Sequence, residues 1–297
     1  MKIVSILKWN IRYIWKHWLK CIGIFTGILS VILLFVSWDD IGIKTMHSKI
    51  VLLATACLLL LIWAILWTCL IKKQKVIWHN ASGRIIVRYG DIIKEGFDTK
   101  NKSTKLYVIP VNSAFDTIVD DISISGKPLV SPNSLHGKWI NKMVENGKKL
   151  EEIDCAICSF LEDRDILPCK ILAPGPKERG KREVYELGTI TMVKGPGNNI
   201  FLLLALTDFD DNGVAHVTAE NLEYIIRRLP DYYEREGQGN ELVVPLMGTG
   251  LSKAELNHEE SLRIITSIFR LYGNKIHGDV SVVIYKGDKD KVSIDAC

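Results

Sequence analysis

Acid is what the first part of this sequence does without. Residues 1–20 carry five cations, Lys2, Lys8, Arg12, Lys16 and Lys20, and no aspartate or glutamate. The whole chain of 297 residues also lacks a strong charge, with 38 Lys and Arg against 34 Asp and Glu. A net charge of +4 is too small to argue for a nucleic-acid partner. Much of that excess lies in the first 75 residues, beside apolar runs, where membrane topology explains it better than a polyanion does. Cysteine regularity is missing too. Seven cysteines without repeating spacing argue against a disulfide framework. Cys155 and Cys158 form a Cys-x-x-Cys, but no second pair or suitably placed histidine accompanies it. The expectation is therefore no metal and apolar, buried cysteines. No internal repeat is visible.

What is there begins with a mixture. Trp9, Tyr13, Trp15 and Trp18 lie among the five cations. Basic residues about every four positions, interleaved with aromatics, predict an interfacial helix over 1–20, rings at headgroup level and cations toward anionic lipid. No small-x-small cleavage site precedes the next polar loop, and a second apolar run follows, so this is not a secretory signal. The apolar runs are 21–38 and 50–71. Each is about long enough for a hydrocarbon core that needs roughly 17–25 residues. They predict a transmembrane hairpin. Neither has a strong polar residue at depth, so neither carries a ready-made ion path or proton relay. Gly23-x-x-x-Gly27 offers a small-residue face for self-association. Cations before the first run, and Lys72, Lys73 and Lys75 after the second, place both termini on the cytoplasmic side.

Residues 72–83 read as a linker, and 84–297 as one α/β layered domain of alternating strands and helices. Strands are expected at 84–89, 106–111, 165–173, 189–193, 200–207 and 280–285, and helices at 135–146, 217–228 and 255–272. Ser134 stands where a cap for the first of these helices belongs. The stretch 242–251 reads as a buried strand ended by Pro245 and a glycine turn, Gly248-Thr249-Gly250. Such a turn lets backbone N–H groups approach phosphate oxygens, although a plain tight turn has the same letters.

Three stretches, in order, resemble the macro domain, the ADP-ribose-binding module. Gly90-Asp91-Ile92 resembles that family's adenine-contacting segment. Asn112-Ser113-Ala114, ending the strand from Val108, resembles its Val-Asn-Ala strand end. Gly248-Thr249-Gly250-Leu251 resembles its diphosphate loop. The resemblance implies ligand-binding roles for Asp91, Ile92, Asn112, Ser113, Gly137, Gly248, Thr249, Gly250 and Leu251, with His136 and Asp116 as further candidates. Asp91 suits an acceptor for the adenine amino group, and a plain turn cap is its other reading. Asp120, Asp121, Asp208 and Asp210 are further acids that could face an imidazole or amine. The chain departs from the family's hydrolases: residues 115–121 read Phe-Asp-Thr-Ile-Val-Asp-Asp, with no second asparagine and no glycine run.

A membrane hairpin ahead of so divergent a macro domain resembles the ThsA membrane effectors of type II Thoeris antiphage defence. That resemblance implies an antiviral receptor and effector in one chain, with no catalysis of its own. A TIR-domain partner would supply an ADP-ribose derivative, with histidine joined to the ribose. The effector would then self-associate and disrupt the bacterial inner membrane. Two other readings stay open: a membrane-anchored ADP-ribosyl hydrolase, and a tethered nucleotide sensor without membrane action.

Overall fold

The computed structural model describes residues 2–100, 102–120, 129–173, 179–209, 215–249 and 256–297. These fall into two compact units. The first comprises Met1–Lys73 and Lys289–Asp295, the second Gln74–Asp288 and Ala296–Cys297.

In the first unit, α1 (Lys2–Leu33) is one continuous helix of 32 residues. At 1.5 Å per residue that is about 48 Å, well beyond a hydrocarbon core of about 30 Å. The sequence reading divides this stretch into an interfacial helix over 1–20 and a span over 21–38. The structure joins them because nothing between Lys20 and Cys21 breaks a helix. It ends the helix five residues earlier than expected. There Asp40 Oδ2 accepts from the Ser37 N–H at 2.8 Å and from its hydroxyl at 2.7 Å, a local alternative to helical bonding. Helix α2 (Met46–Leu66) starts at Thr45, whose side chain accepts from the Ser48 N–H. It runs on through a π-helical turn, Trp67–Ile71. Both Val4–Leu33 and Met46–Ile71 are long and apolar enough to cross a membrane, with mean hydropathies of 1.4 and 2.8. The helices pack together. The Trp18 indole donates to the Cys57 carbonyl at 3.0 Å, and His17 stacks on Trp67. Large apolar side chains such as Leu58, Leu59, Ile62 and Leu70 remain exposed.

The second unit is built on a mixed sheet. Its main path runs β1 (Gln74–His79), β2 (Arg84–Gly90), β10 (Val280–Tyr285), β9 (Glu241–Pro245), β3 (Lys105–Asn112), β7 (Asn199–Phe209), β6 (Ile190–Lys194), and the short β8 (Ala215–His216) pairs with the end of β7. The five inner strands are parallel, and β1 and β6 close the two edges antiparallel. The inner strands are nearly continuous runs of Ile, Leu and Val, as strands covered on both faces must be. Helices α3 (Ile92–Gly96), α4 (Leu135–Glu145), α5 (Leu150–Glu162), α6 (Ala219–Glu236) and α7 (His258–Leu271) accompany the sheet. One cluster joins Tyr107 and Ile109 of β3 and Phe201 of β7 to Trp139 of α4 and Ile153 and Ile157 of α5, all 1% exposed or less.

Four expectations are corrected here. The stretch 72–83 is not a plain linker: Gln74–His79 is strand β1. Asn80 Oδ1 accepts from the N–H groups of Ser82 and Gly83 and turns the chain back into β2. The strand expected at 165–173 is reduced to β4 (Lys170–Ile171), paired with β5 (Glu183–Val184). Ile166 packs against the core, but Leu167 and Ile171 stay outside it, 80% and 66% exposed. Helix α6 continues past residue 228 through Pro230, because Leu229, Pro230, Tyr232 and Tyr233 are all buried. The cysteines of the Cys-x-x-Cys are not buried. Amphipathic helix α5 turns Ile153, Ile157 and Leu161 inward and leaves Cys155 and Cys158 exposed.

Candidate functional site

All five parallel strands end on one edge of the sheet. Moving across it, β2 delivers Asp91, β10 delivers Tyr285, β9 delivers the turn from Leu246, β3 delivers Asn112 and Ser113, and β7 delivers Asp208. The carboxyl edge of a parallel sheet is where ligands bind in such folds. Four strand steps of about 4.8 Å make a footprint of about 19 Å from β2 to β7.

At the β2 end lies a cavity of about 700 Å³, lined among others by Gly90, Asp91, Lys94, Lys138, Thr249 and Tyr285. That is the size of a small-ligand site. Asp91 takes the place of the N-cap of α3, its Oδ1 accepting from the Lys94 N–H at 3.1 Å. The turn-cap reading is therefore realised. Oδ2 makes no hydrogen bond among the described residues and faces no competing partner for a ligand donor. Ile92 is 5% exposed and contributes an apolar wall. Lys94 and Lys138 line the cavity without an ion pair among the described residues. Lys138 Nζ stands 6.0 Å from the centroid of the Tyr285 ring. The lining also holds Asp91, Glu145 and Asp288, with Glu145 paired to Lys142, so its charge is mixed.

The β9 turn matches its expected design as far as it is described. Gly248 is buried and has φ +78°, a left-handed conformation that glycine adopts without strain. Thr249 follows it into the cavity wall. The Met247 carbonyl is held from behind by the buried Ser261 hydroxyl at 2.6 Å. Gly250 and Leu251 lie outside the described residues, as do Asp121 and Asp210.

The β3 end is tightly wired. Asn112 is 6% exposed, and its Oδ1 accepts from the Asp116 N–H at 3.1 Å. That bond fixes the amide orientation. Its NH₂ makes no hydrogen bond among the described residues and is the group left to face a ligand oxygen. Ser113 is fully buried, and its hydroxyl donates to Asp208 Oδ1 at 3.0 Å. Asp208 itself is exposed.

Four other sequence candidates have structural surroundings. Asp116 is fully buried, its Oδ1 accepting from the Lys181 N–H at 2.7 Å. A Cβ on Gly137 would meet the Ser131 carbonyl oxygen at 2.2 Å, so glycine there lets α4 pack on the preceding loop. His136 is buried and stacked on Trp139. Burial, with Lys181 adding, pushes its pKa down to about 3, so the ring is neutral. Asp120 accepts from the Leu129 N–H at 2.7 Å and pairs with Arg179.

Sequence reasoning missed the cavity side of α4 and the end of β10. Leu135, Lys138, Asn141, Lys142 and Glu145 follow a helical three-four spacing that brings them to one wall. The spacing was legible; that this face lines a cavity depends on how α4 crosses the sheet. Among the described residues no group of three His, Cys, Asp or Glu side chains is placed to hold a metal ion.

Comparison with known proteins follows from this geometry. The family model described as the Macro domain of Thoeris protein ThsA matches residues 85–285. No curated protein sequence matches. Among solved structures, a macrodomain from Oceanobacillus iheyensis with ADP is similar at 14% identity and a TM-score of 0.45, covering 74% of this chain and 93% of that one. The same macrodomain with MES bound gives 13% and 0.44, covering 73% and 92%. A macrodomain protein from Streptomyces coelicolor gives 11% and 0.35, covering 66% and 95%. These distant neighbours carry no argument about ligand or activity.

Proposed function

Since this chain belongs to the Thoeris ThsA macro-domain family, we propose that its macro domain is the receptor for an ADP-ribose-derived signal and its hairpin the effector. The observation that carries the reading is the cavity at the parallel-strand edge, lined by Lys94 and Lys138, which form no ion pair among the described residues. Adenosine enters at the β2 end, with Asp91 Oδ2 accepting from the adenine amino group and Ile92 beneath. The diphosphate lies over the Gly248–Thr249 turn, where backbone N–H groups and the two lysines would meet its negative charge. The distal ribose reaches the Asn112 NH₂. Beyond it stands Asp208, exposed at the end of β7. Asp116 and Asp120 are committed to Lys181 and Arg179.

The signal is ADP-ribose joined to histidine, made by a TIR-domain partner that consumes NAD. Asp208 then reads the imidazole or amine of the conjugate. Residues 84–297 lie in the bacterial cytoplasm, and the two helices cross the inner membrane with both termini inside. Ligand binding favours a self-associated form that breaches the bilayer and arrests the infected cell. The ligand shifts this equilibrium only by its preference for the assembled state. Confinement to a membrane raises the effective concentration, so a modest preference suffices. No catalytic cycle belongs to this reading, because the hydrolases' second asparagine and glycine run are missing after β3.

The test is Thr249→Glu in the full chain. A carboxylate in the diphosphate site should weaken ADP-ribose binding by on the order of 100-fold or more, through like-charge repulsion and lost space. Calorimetry that finds equal affinity in the variant overturns the assignment. Release of ADP-ribose from a modified protein by the wild type would replace it with the hydrolase reading.

A further inference from the structure

The hairpin unit contains a piece of chain from the far end of the sequence. Residues Lys289–Asp295 cluster with Met1–Lys73 rather than with the domain they follow. Two polar contacts and a group of buried side chains mark the attachment. The Ser293 hydroxyl donates to Asn10 Oδ1 at 2.6 Å, across 283 residues of sequence. Both partners are buried, Asn10 at 3% and Ser293 at 2% exposure. Val292 and Ile294 on either side are buried, as is Ile14 one helical turn from Asn10. Lys72 donates to Asp295 Oδ1 at 2.6 Å, just past the end of the second helix. The segment therefore holds α1 and the exit of the hairpin together.

The root of this segment is the wall of the cavity. Tyr285, the last residue of β10, and Asp288 both line it. Asp288 is the residue immediately before Lys289, and His258 of α7 stands 3.7 Å from its carboxylate. A ligand that presses on Tyr285 or Asp288 acts on the chain within eight residues of Ser293.

The attachment is also poorly suited to permanence. Its central bond joins two small polar groups inside an apolar contact, which specifies register more than it stabilises. Within it, Asp290 Oδ1 is buried and has no hydrogen-bond partner among the described residues. A buried carboxylate oxygen without a donor is costly, and release to water relieves it.

From this we propose that residues 289–295 are a releasable strap. In the resting protein it clamps α1 to the hairpin exit; an anionic ligand in the cavity displaces its root and frees α1 to self-associate. The inference rests on the reading that the cavity binds an ADP-ribose-type ligand. It adds the element through which occupancy reaches the membrane helices, a contiguous segment with an attached and a released state.

The experiment is a cross-link in the full chain in proteoliposomes. Asn10→Cys and Ser293→Cys are combined, in a Cys297→Ser background, and oxidised with and without saturating ADP-ribose. Rapid disulfide formation in the absence of nucleotide is expected, slowed at least fivefold by ADP-ribose. Asp295→Lys should slow it without nucleotide, and adding Lys72→Glu should restore the rate. A double-cysteine protein that oxidises no faster than chance collision overturns the attached state. Calorimetry on the same sample separates the rest. Binding of ADP-ribose with an unchanged cross-linking rate overturns the release while leaving the receptor reading intact. No binding at all overturns both the receptor reading and the ligand-driven release.

Discussion

At the scale of residues, several letters have meanings that only their neighbours decide. Asp91, Gly248 and Thr249 could be recognised from the stretches around them, because a strand end followed by a cap or glycine turn is local chemistry. His136 and Asp116 could not. Each lies beside a recognisable motif, yet each is directed inward, to Trp139 and to the Lys181 backbone. His136 gives a pH test. Its folded pKa of about 3 lies below the ordinary histidine value of 6.5, so the unfolded chain takes up the proton first. Stability is full above about pH 6.5 and falls as pH drops toward 3, by about 1.4 kcal/mol per unit at most. Chemical denaturation of the domain between pH 4 and 7 should show this slope, and His136→Phe should flatten it. An equal slope in the variant would mean another group titrates. Asp208→Asn gives a second test: affinity for the histidine conjugate should drop about tenfold, the worth of one charged hydrogen bond, with ADP-ribose affinity nearly unchanged. Equal losses for both ligands would remove Asp208 from the reading of the distal group.

Elements were legible where periodicity and caps agreed. The spacing after Ser134 predicted α4, and Ser134 accepts from the Gly137 N–H as a cap should. Strand β10 has the predicted bounds. The sequence reading failed where local signals compete with packing. Pro230 marks a stop in the sequence, but buried Tyr232 and Tyr233 carry α6 onward. Polar letters made 72–83 look like a linker, but the half-buried Trp78 gives β1 something to pack. Helix α5 was missed, and with it the exposure of its cysteines. The structure therefore predicts that a maleimide labels Cys155 and Cys169 in the native protein within minutes. Cys158 should react more slowly at neutral pH, because partial desolvation raises its thiol pKa and lowers the thiolate fraction. Equal rates at Cys155 and Cys158 would contradict that ordering.

At the scale of the whole molecule, the sequence announces two parts by composition alone: an apolar, basic N-terminus and an ordinary globular remainder. What it conceals is that residues 289–295 return to the first part. No local pattern marks residues 289–295 as a partner for Asn10, since a contact across 283 residues leaves no periodicity to read. Removing residues 1–71 should yield a domain that binds ADP-ribose and harms no cell, checked by calorimetry and by growth on induction. Equal toxicity of the truncated form would show that the helices are not the effector.

The central claim is that a ligand in the macro-domain cavity controls what the hairpin does to a bilayer. Dye release from proteoliposomes of the full chain tests it most directly. The wild type should stay tight alone and release dye when histidine-conjugated ADP-ribose is added, while Thr249→Glu stays tight under both conditions. Release without ligand, or ligand-triggered release undiminished in Thr249→Glu, would contradict the account.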